Sequence, residues 1–470
     1  MRMTLPLMMN NPVTTDTIAA VSTPPGKGGV ALIRISGPAA LQVVAGCFVC
    51  RGGLPIDRLP PRRATYGSVL LHGEEIDDAL LTLFPAPHSY TGEDTAEISC
   101  HGGLLITRRV LEAVLLCGAR MAEPGEFTRR ALLNGRMSLS EAEDIGRLLD
   151  AATDAQLRLC APAARSRLAG EIADMRDILL RLLGSLWANI DYPEEDLAEL
   201  SDGELLCILS DLIHRMHSLA ATYQTGRAIR EGIPAVLCGA PNVGKSSLYN
   251  LLCGEERAIV TEHAGTTRDV LETDVALGRV LLHLSDTAGL RESADPIERI
   301  GIDRAHACLS DAALILAVFD GSRPLQQDDR RLLSALQTSP AEVIACINKS
   351  DLPARIEEEE IRATFPRLVH LSAKDRQGLS ALQALVEADF TDGKIAIGQD
   401  AVIADARQHA ALSRACALTE KAADAFAAGL PADAASSDLE LALGALGELD
   451  GRAVSEEIVS EIFRHFCVGK

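Results

Sequence analysis

The run Gly239-Ala240-Pro241-Asn242-Val243-Gly244-Lys245-Ser246-Ser247 contains the spacing G-x-x-x-x-G-K-[ST]. The chemistry of that spacing is phosphate binding. Gly239 and Gly244 let the backbone turn tightly, so successive N–H groups and the start of the next helix face a phosphate. Lys245 reaches the outer phosphates and the Ser246 hydroxyl a Mg²⁺ ion, with Asn242, Val243 and Ser247 completing the cradle. Downstream, Asp286-Thr287-Ala288-Gly289 offers a carboxylate near the metal and an amide, at Gly289, that senses the last phosphate. Asn348-Lys349-Ser350-Asp351 presents the Asp351 carboxylate to both edge N–H groups of guanine. Adenine lacks that donor pair, and sites built on paired hydrogen bonds discriminate by about 10⁴ or more. Ser372-Ala373-Lys374 suits backbone contact with the base carbonyl. In this order the pieces predict a Mg²⁺-dependent GTP-binding and GTP-hydrolysing switch.

One piece is missing. Small GTPases usually place a glutamine directly after Asp-x-x-Gly to orient the attacking water, and this chain has Leu290. An arginine finger contributes roughly 10³ to 10⁵ in rate, so its charge has to come from elsewhere. Asn242 carries a hard carbonyl oxygen beside the phosphates. The loop Thr261-Glu262-His263-Ala264-Gly265-Thr266-Thr267 adds hydroxyl and backbone oxygens. Hard oxygens suit alkali and alkaline-earth cations, and a monovalent cation there would replace the finger's charge. Asn242 reads equally well as a turn residue of the phosphate loop.

These residues need elements to hold them. Apolar runs at 236–238, 280–285, 312–319, 343–347 and 368–371 read as strands, and 246–252 as the helix after the phosphate loop. The third run is almost wholly apolar, as a parallel strand covered on both faces should be. The expectation is a doubly wound, mostly parallel α/β domain. Before it, 16–134 reads as α+β, with a strand at 30–35 stopped by Ser36-Gly37-Pro38. A hairpin is expected from 65–71 and 77–84 about His72-Gly73-Glu74-Glu75, and a helix over 106–116. From Ser138-Leu139-Ser140-Glu141, a capping box, the pattern turns helical. Leu168, Ile172, Met175, Leu179, Leu182 and Leu186 recur at spacings of four and three, a bundle stripe ending near Asp191-Tyr192-Pro193. After the switch, 400–428, 437–449 (opening at Ser437-Asp438-Leu439-Glu440) and 455–466 read as helices. Helical segments on both sides imply one discontinuous helical domain with the GTPase inserted. The expected boundaries are 1–135, 136–228, 229–389 and 390–470.

At 470 residues, two or three domains are the natural reading. The net charge of -21 argues against a general nucleic-acid coat. Arg62-Arg63, Arg108-Arg109 and Arg129-Arg130 are candidates for a local RNA contact, although paired arginines are more often solvated surface. The twelve cysteines form no repeating framework, and Cys47-Phe48-Val49-Cys50 is a lone pair, so buried reduced thiols and a cytoplasmic location are expected. Met1 to Asn10 lacks the length and flanks of a signal peptide.

Beyond the switch, the chain resembles the tRNA-modification GTPase family MnmE, also called TrmE. The resemblance rests on Asp16-Thr17-Ile18-Ala19-Ala20, Pro24-Pro25-Gly26-Lys27-Gly28-Gly29, Arg34-Ile35-Ser36-Gly37, Tyr90-Thr91-Gly92-Glu93-Asp94, His101-Gly102-Gly103 and Pro124-Gly125-Glu126-Phe127-Thr128. Ala264-Gly265-Thr266-Thr267-Arg268-Asp269, Asp286 through Glu292, and Phe466-Cys467-Val468-Gly469-Lys470 complete it. It implies an N-terminal, dimerising domain that binds a tetrahydrofolate derivative through Arg34, Glu97, Arg136 and Lys470. It implies K⁺-dependent GTP hydrolysis, with Asn242, Thr261, His263 (through its carbonyl) and Thr266 around K⁺, and Ser246 and Thr267 on Mg²⁺. Glu298 would be the catalytic residue, orienting the attacking water through a second water. The implied work is wobble-uridine modification of tRNA by a homodimer with the FAD-containing partner MnmG. A rival from another class is a ribosome-assembly GTPase acting as an RNA-binding checkpoint. It predicts a basic RNA-binding module after the switch or a second GTPase domain; the region after Lys374 instead reads as helical, with Glu456, Glu457 and Glu461 in its tail.

Overall fold

The computed structural model describes residues 16–191, 201–254, 258–259, 272–286, 312–430 and 432–449. The described residues divide into two compact units, 16–146 and 147–449.

The first unit is built on a seven-stranded mixed sheet. In chain order it has β1 (Ile18–Val21), β2 (Val30–Ser36), α1 (Ala40–Cys47), β3 (Phe48–Cys50), β4 (Thr65–Leu71), β5 (Glu74–Phe84), β6 (Thr95–His101), α2 (Leu104–Leu116), β7 (Arg120–Met121) and α3 (Glu126–Leu133). The strands lie in the order β3-β4-β5-β6-β2-β1-β7. Helices α1 and α2 cover one face, where Ile33, Ile35, Val69, Leu81, Ile98, Val110 and Val114 form a core. The hairpin departs from the expected one. His72 and Gly73 both take positive φ (53° and 83°), so a two-residue turn suffices and β5 begins at Glu74 rather than at 77. Such turns match the twist of the flanking strands. Helix α2 starts at Leu104, two residues before the expected start. The Ser138–Glu141 capping box forms as read and opens α4 (Leu139–Asp150).

The second unit holds a helical bundle and a second seven-stranded sheet. Its order is α5 (Asp154–Leu159), α6 (Pro162–Asp191), α7 (Asp202–Ala221), α8 (Tyr223–Glu231), β8 (Ile233–Gly239), α9 (Lys245–Leu252), β9 (Ala258–Ile259), β10 (Glu272–Leu277), β11 (Val280–Asp286), β12 (Leu314–Asp320), α10 (Gln327–Leu336), β13 (Glu342–Asn348), α11 (Glu358–Thr364), β14 (Leu368–His370), α12 (Leu379–Phe390), α13 (Ala406–Ala427) and α14 (Ala432–Leu449). Strands β14, β13, β12, β8 and β11 pair in parallel, and β10 and β9 close one edge antiparallel. Alternate side chains feed two cores. Leu237, Leu316, Val318 and Cys346 point to one, and Cys238, Ile315, Ala317 and Ile347 to the other. Every residue of β12 is buried, the signature of a strand covered on both faces.

The predicted helical stripe is core: Ile172, Met175, Leu179, Leu182 and Leu186 of α6 pack with Leu209 and Leu212 of α7 and with α13 and α14. Two helix starts differ from expectation. Helix α13 begins at Ala406 rather than at 400, because Asp405 caps it by accepting from the N–H groups of Arg407 and Gln408. Helix α14 begins at Ala432 rather than at 437. The Ser437-Asp438-Leu439-Glu440 set therefore lies inside the helix, and Asp438 instead takes the Lys421 ammonium at 2.9 Å. Alanine-rich residues upstream favour this longer helix. The expected helix over 455–466 lies outside the described residues.

Asp405 also ties the bundle to the strand that carries the phosphate loop. It accepts Arg147 of α4 at 3.2 Å and Arg230 of α8 at 2.7 Å, and α8 runs directly into β8. Burial works to raise the Asp405 carboxyl, but Arg230 and Arg147 outweigh it and hold it below the usual carboxylate range.

Candidate functional site

The phosphate loop leaves β8 at Gly239 and enters α9 at Lys245, so its N–H groups surround the start of a helix. Two residues force its shape. Asn242 has φ 64°, a left-handed conformation that asparagine tolerates better than most side chains. Gly244 has φ 96°, and a Cβ there would run into the amide nitrogen of Asn348. Lys245 folds its Nζ onto the carbonyls of Gly239 and Ala240, at 2.9 Å each. That places the ammonium inside the loop. Ser246 is exposed beside it on the first turn of α9. Asp286 ends β11 and stands opposite Leu237 in the parallel ladder, so its backbone is one strand away from the loop.

The base-side residues meet this loop directly. Asn348, 2% exposed at the end of β13, donates from Nδ2 to the Val243 carbonyl at 2.9 Å. Its Oδ1 accepts the Ala373 N–H at 3.0 Å, so one side chain fastens the phosphate loop to the Ser372–Lys374 loop. Lys349, at φ 63°, sends its Nζ to the Asn242 carbonyl at 3.0 Å and to Asp320 at 2.6 Å. Burial works to raise the Asp320 carboxyl; Lys349 and Ser322 outweigh it and hold it below the usual range. Neither the Asn348 fastening nor the part played by Asp320 was anticipated from sequence. The one signal for Asp320 was an acid at the end of an apolar strand, as at Asp286.

Asp351 is exposed, and its Oδ1 accepts the hydroxyl of the fully buried Ser372 at 2.8 Å. Ser372 in turn accepts the Asp375 N–H at 3.1 Å. The Asp351 carboxylate is therefore oriented by a side chain from the neighbouring loop. Ser372→Ala should weaken GTP binding about tenfold, as expected for one hydrogen bond to a charged group. A titration with fluorescent GTP measures this, and an unchanged affinity would remove Ser372 from that role.

In the first unit, Arg34 and Glu97 face each other across β2 and β6 and pair at 2.9 Å. The Arg34 guanidinium lies 5.3 Å from the Tyr90 ring centre and 5.8 Å from that of Phe127. Arg136 packs its aliphatic stem near Gly92, whose missing Cβ would otherwise sit 3.1 Å from Cγ. Beneath lies a network that sequence reasoning assigned elsewhere. Arg130, 2% exposed, bonds Glu126, Asp16 and Glu93, and Glu93 also takes the Ser36 hydroxyl. The Arg129-Arg130 pair is thus not a surface RNA patch, because Arg130 is itself buried and is taken up by Glu126, Glu93 and Asp16; Arg108 and Arg109 are exposed as expected. Thr261, Glu262, His263, Ala264, Gly265, Thr266, Thr267, Thr287, Ala288, Gly289, Leu290, Glu298, Cys467 and Lys470 lie outside the described residues.

Similarity to known proteins decides the family. Residues 17–136 match the family described as "GTP-binding protein TrmE N-terminus", and 139–467 match the "MnmE helical domain". The tRNA modification GTPase MnmE of Carboxydothermus hydrogenoformans is 38% identical over 460 residues, 97% of this chain and 99% of that protein. The chain belongs to the MnmE family. Other MnmE relatives include that of Heliobacterium modesticaldum, 41% identical over 97% of this chain and 99% of its own length. The Symbiobacterium thermophilum protein is 42% identical with the same coverage. Among solved structures, the G domain of the T. maritima FeoB iron transporter is 27% identical, covering 33% of this chain and 97% of that one, at a TM-score of 0.26. As an MnmE-family member the chain is a GTP-hydrolysing enzyme of multidomain α/β and α+β architecture. No helix among the described residues is long and apolar enough to cross a membrane.

Proposed function

We propose that this MnmE-family GTPase acts in the modification of wobble uridines of tRNA, of aminomethyl or carboxymethylaminomethyl type. The observation that carries the reading is the likeness to tRNA modification GTPases over 97% of the chain, including both regions outside the nucleotide site. The partner is an FAD-containing protein of the MnmG type, working with a homodimer of this chain in the cytoplasm, and the one-carbon unit comes from a tetrahydrofolate derivative. The proposed division is 1–135 for folate binding and dimerisation, 136–228 and 390–470 for the helical domain, and 229–389 for the GTPase.

Within the nucleotide site, Lys245 leaves its loop carbonyls to meet the outer phosphates, Ser246 and Thr267 hold Mg²⁺, and Asp351 with the Ser372–Lys374 loop selects guanine. Asn242, Thr261, His263 and Thr266 hold K⁺, which supplies the positive charge of an arginine finger. The hard oxygen donors of this set fit such a cation. Glu298 orients the attacking water in place of the glutamine that Leu290 replaces. For the folate, Arg34, Glu97, Arg136 and Lys470 supply ion pairs and hydrogen bonds. The partly buried Arg34–Glu97 pair beside two aromatic rings suits a flat polar ring with an acidic tail.

Mass spectrometry of tRNA from a strain lacking the gene tests the reading. Loss of the wobble-uridine side chain, restored by the intact gene, is the expected result. Unaltered modification would overturn it.

A further inference from the structure

Away from the nucleotide and folate residues, His217 of α7 meets Cys416 and Glu420 of α13. Cys416 and Glu420 are four apart and so share one face of their helix. On that face α13 lies against α7, where the Thr419 hydroxyl reaches the Met216 sulfur. His217 Nε2 stands 2.7 Å from Glu420 Oε1, and the three potential donor atoms all lie within 4.8 Å of one another. Cys416 is 4% exposed and set in the helical core, whereas the other two side chains are 61% and 45% exposed.

We propose that His217, Cys416 and Glu420 form a Zn²⁺ site that clamps α7 to α13, with water as fourth ligand. The donor chemistry selects the ion. Imidazole nitrogen, thiolate sulfur and a carboxylate oxygen suit zinc, while Mg²⁺ and Ca²⁺ favour oxygen alone. Zinc bonds to these atoms run about 2.0 to 2.3 Å, so closure needs shifts of about 1 Å. The two exposed side chains supply them while the buried thiol stays in place. On binding, the S–H bond of Cys416 breaks, its proton leaves to solvent and a sulfur–zinc bond forms. Burial, and then Glu420, push that thiol up to about 11, so the metal has to displace a proton. The clamp joins a helix that precedes the phosphate loop in the chain to one that follows it.

The test uses the full chain, freed of metal and nucleotide, with Co²⁺ and Zn²⁺ as probes. Co²⁺ should give a thiolate-to-cobalt charge-transfer band that Cys416→Ser abolishes. Zn²⁺, titrated against a chromophoric chelator, should bind one equivalent. His217→Ala and Glu420→Gln should each weaken it about 100-fold, at least the cost of losing an outer-sphere partner. These exposed positions keep the experiment decisive if Cys416→Ser fails to fold. A missing thiolate band, or zinc affinity unchanged in both His217→Ala and Glu420→Gln, would overturn the site.

Discussion

Asp351→Asn should cost GTP affinity about 10³ to 10⁴-fold, the scale on which a site built for paired hydrogen bonds rejects the wrong partner. A carboxylate accepts two N–H groups of guanine side by side. An amide accepts one and turns a donor toward the other, so a desolvated clash replaces a hydrogen bond. The same amide matches xanthine, which carries a carbonyl where guanine has its exocyclic amine. XTP should therefore bind the variant better than GTP does. The fold should be unaffected, because Asp351 is exposed and its Ser372 contact survives with the amide oxygen as acceptor. Titrations with labelled GTP and XTP measure both effects. GTP affinity within tenfold of the parent would show that guanine is read elsewhere.

Exchanging sodium for potassium should raise the GTP hydrolysis rate by about 100-fold or more. An arginine finger is worth roughly 10³ to 10⁵, and a bound cation supplies its charge without its directed hydrogen bonds. The demand arises from Leu290, which has no group to orient water, and from a phosphate loop that carries Asn242. The left-handed backbone at Asn242 accounts for the turn and leaves the residue exposed on the loop. Single-turnover hydrolysis at constant ionic strength separates the chemical step from product release. Glu298→Ala should bind GTP normally and lose most turnover in either salt. Equal rates in sodium and potassium would remove the cation from the mechanism.

The nucleotide motifs could be read from the sequence because their pieces are local. A tight loop that turns backbone N–H groups toward phosphate needs glycine at particular positions, and a base-reading acid has to follow a strand. Both demands leave fixed spacings. The parallel strands of the second sheet were legible for a similar reason, since a strand covered on both faces must be apolar along most of its length, as β12 is up to Asp320. The short β1 and the more polar β6 and β10 were not. Boundaries were less so. Asp400 and Ser437 both looked like helix starts, but capping depends on which carboxylate or hydroxyl faces free N–H groups once the chain packs. Asp405 does so for α13, and Ser437 lies inside α14.

Charge was least legible. The adjacent Arg129 and Arg130 read as a surface pair, yet the sheet and α3 bring Asp16, Glu93 and Glu126 around Arg130 alone. A buried cation needs carboxylates, and those lie up to 114 residues away in sequence. Asn348 and Asp320 are similar cases, one joining two loops and the other holding Lys349 from the next strand. The sequence alone determined the ligand class, the reaction and the family, because motifs and apolar periodicity are properties of neighbouring residues. Only the tertiary structure decided which charges are buried, which side chains join the loops and that His217 meets Cys416 across two helices. Those depend on the alignment of distant strands and helices, which burial of the apolar cores sets.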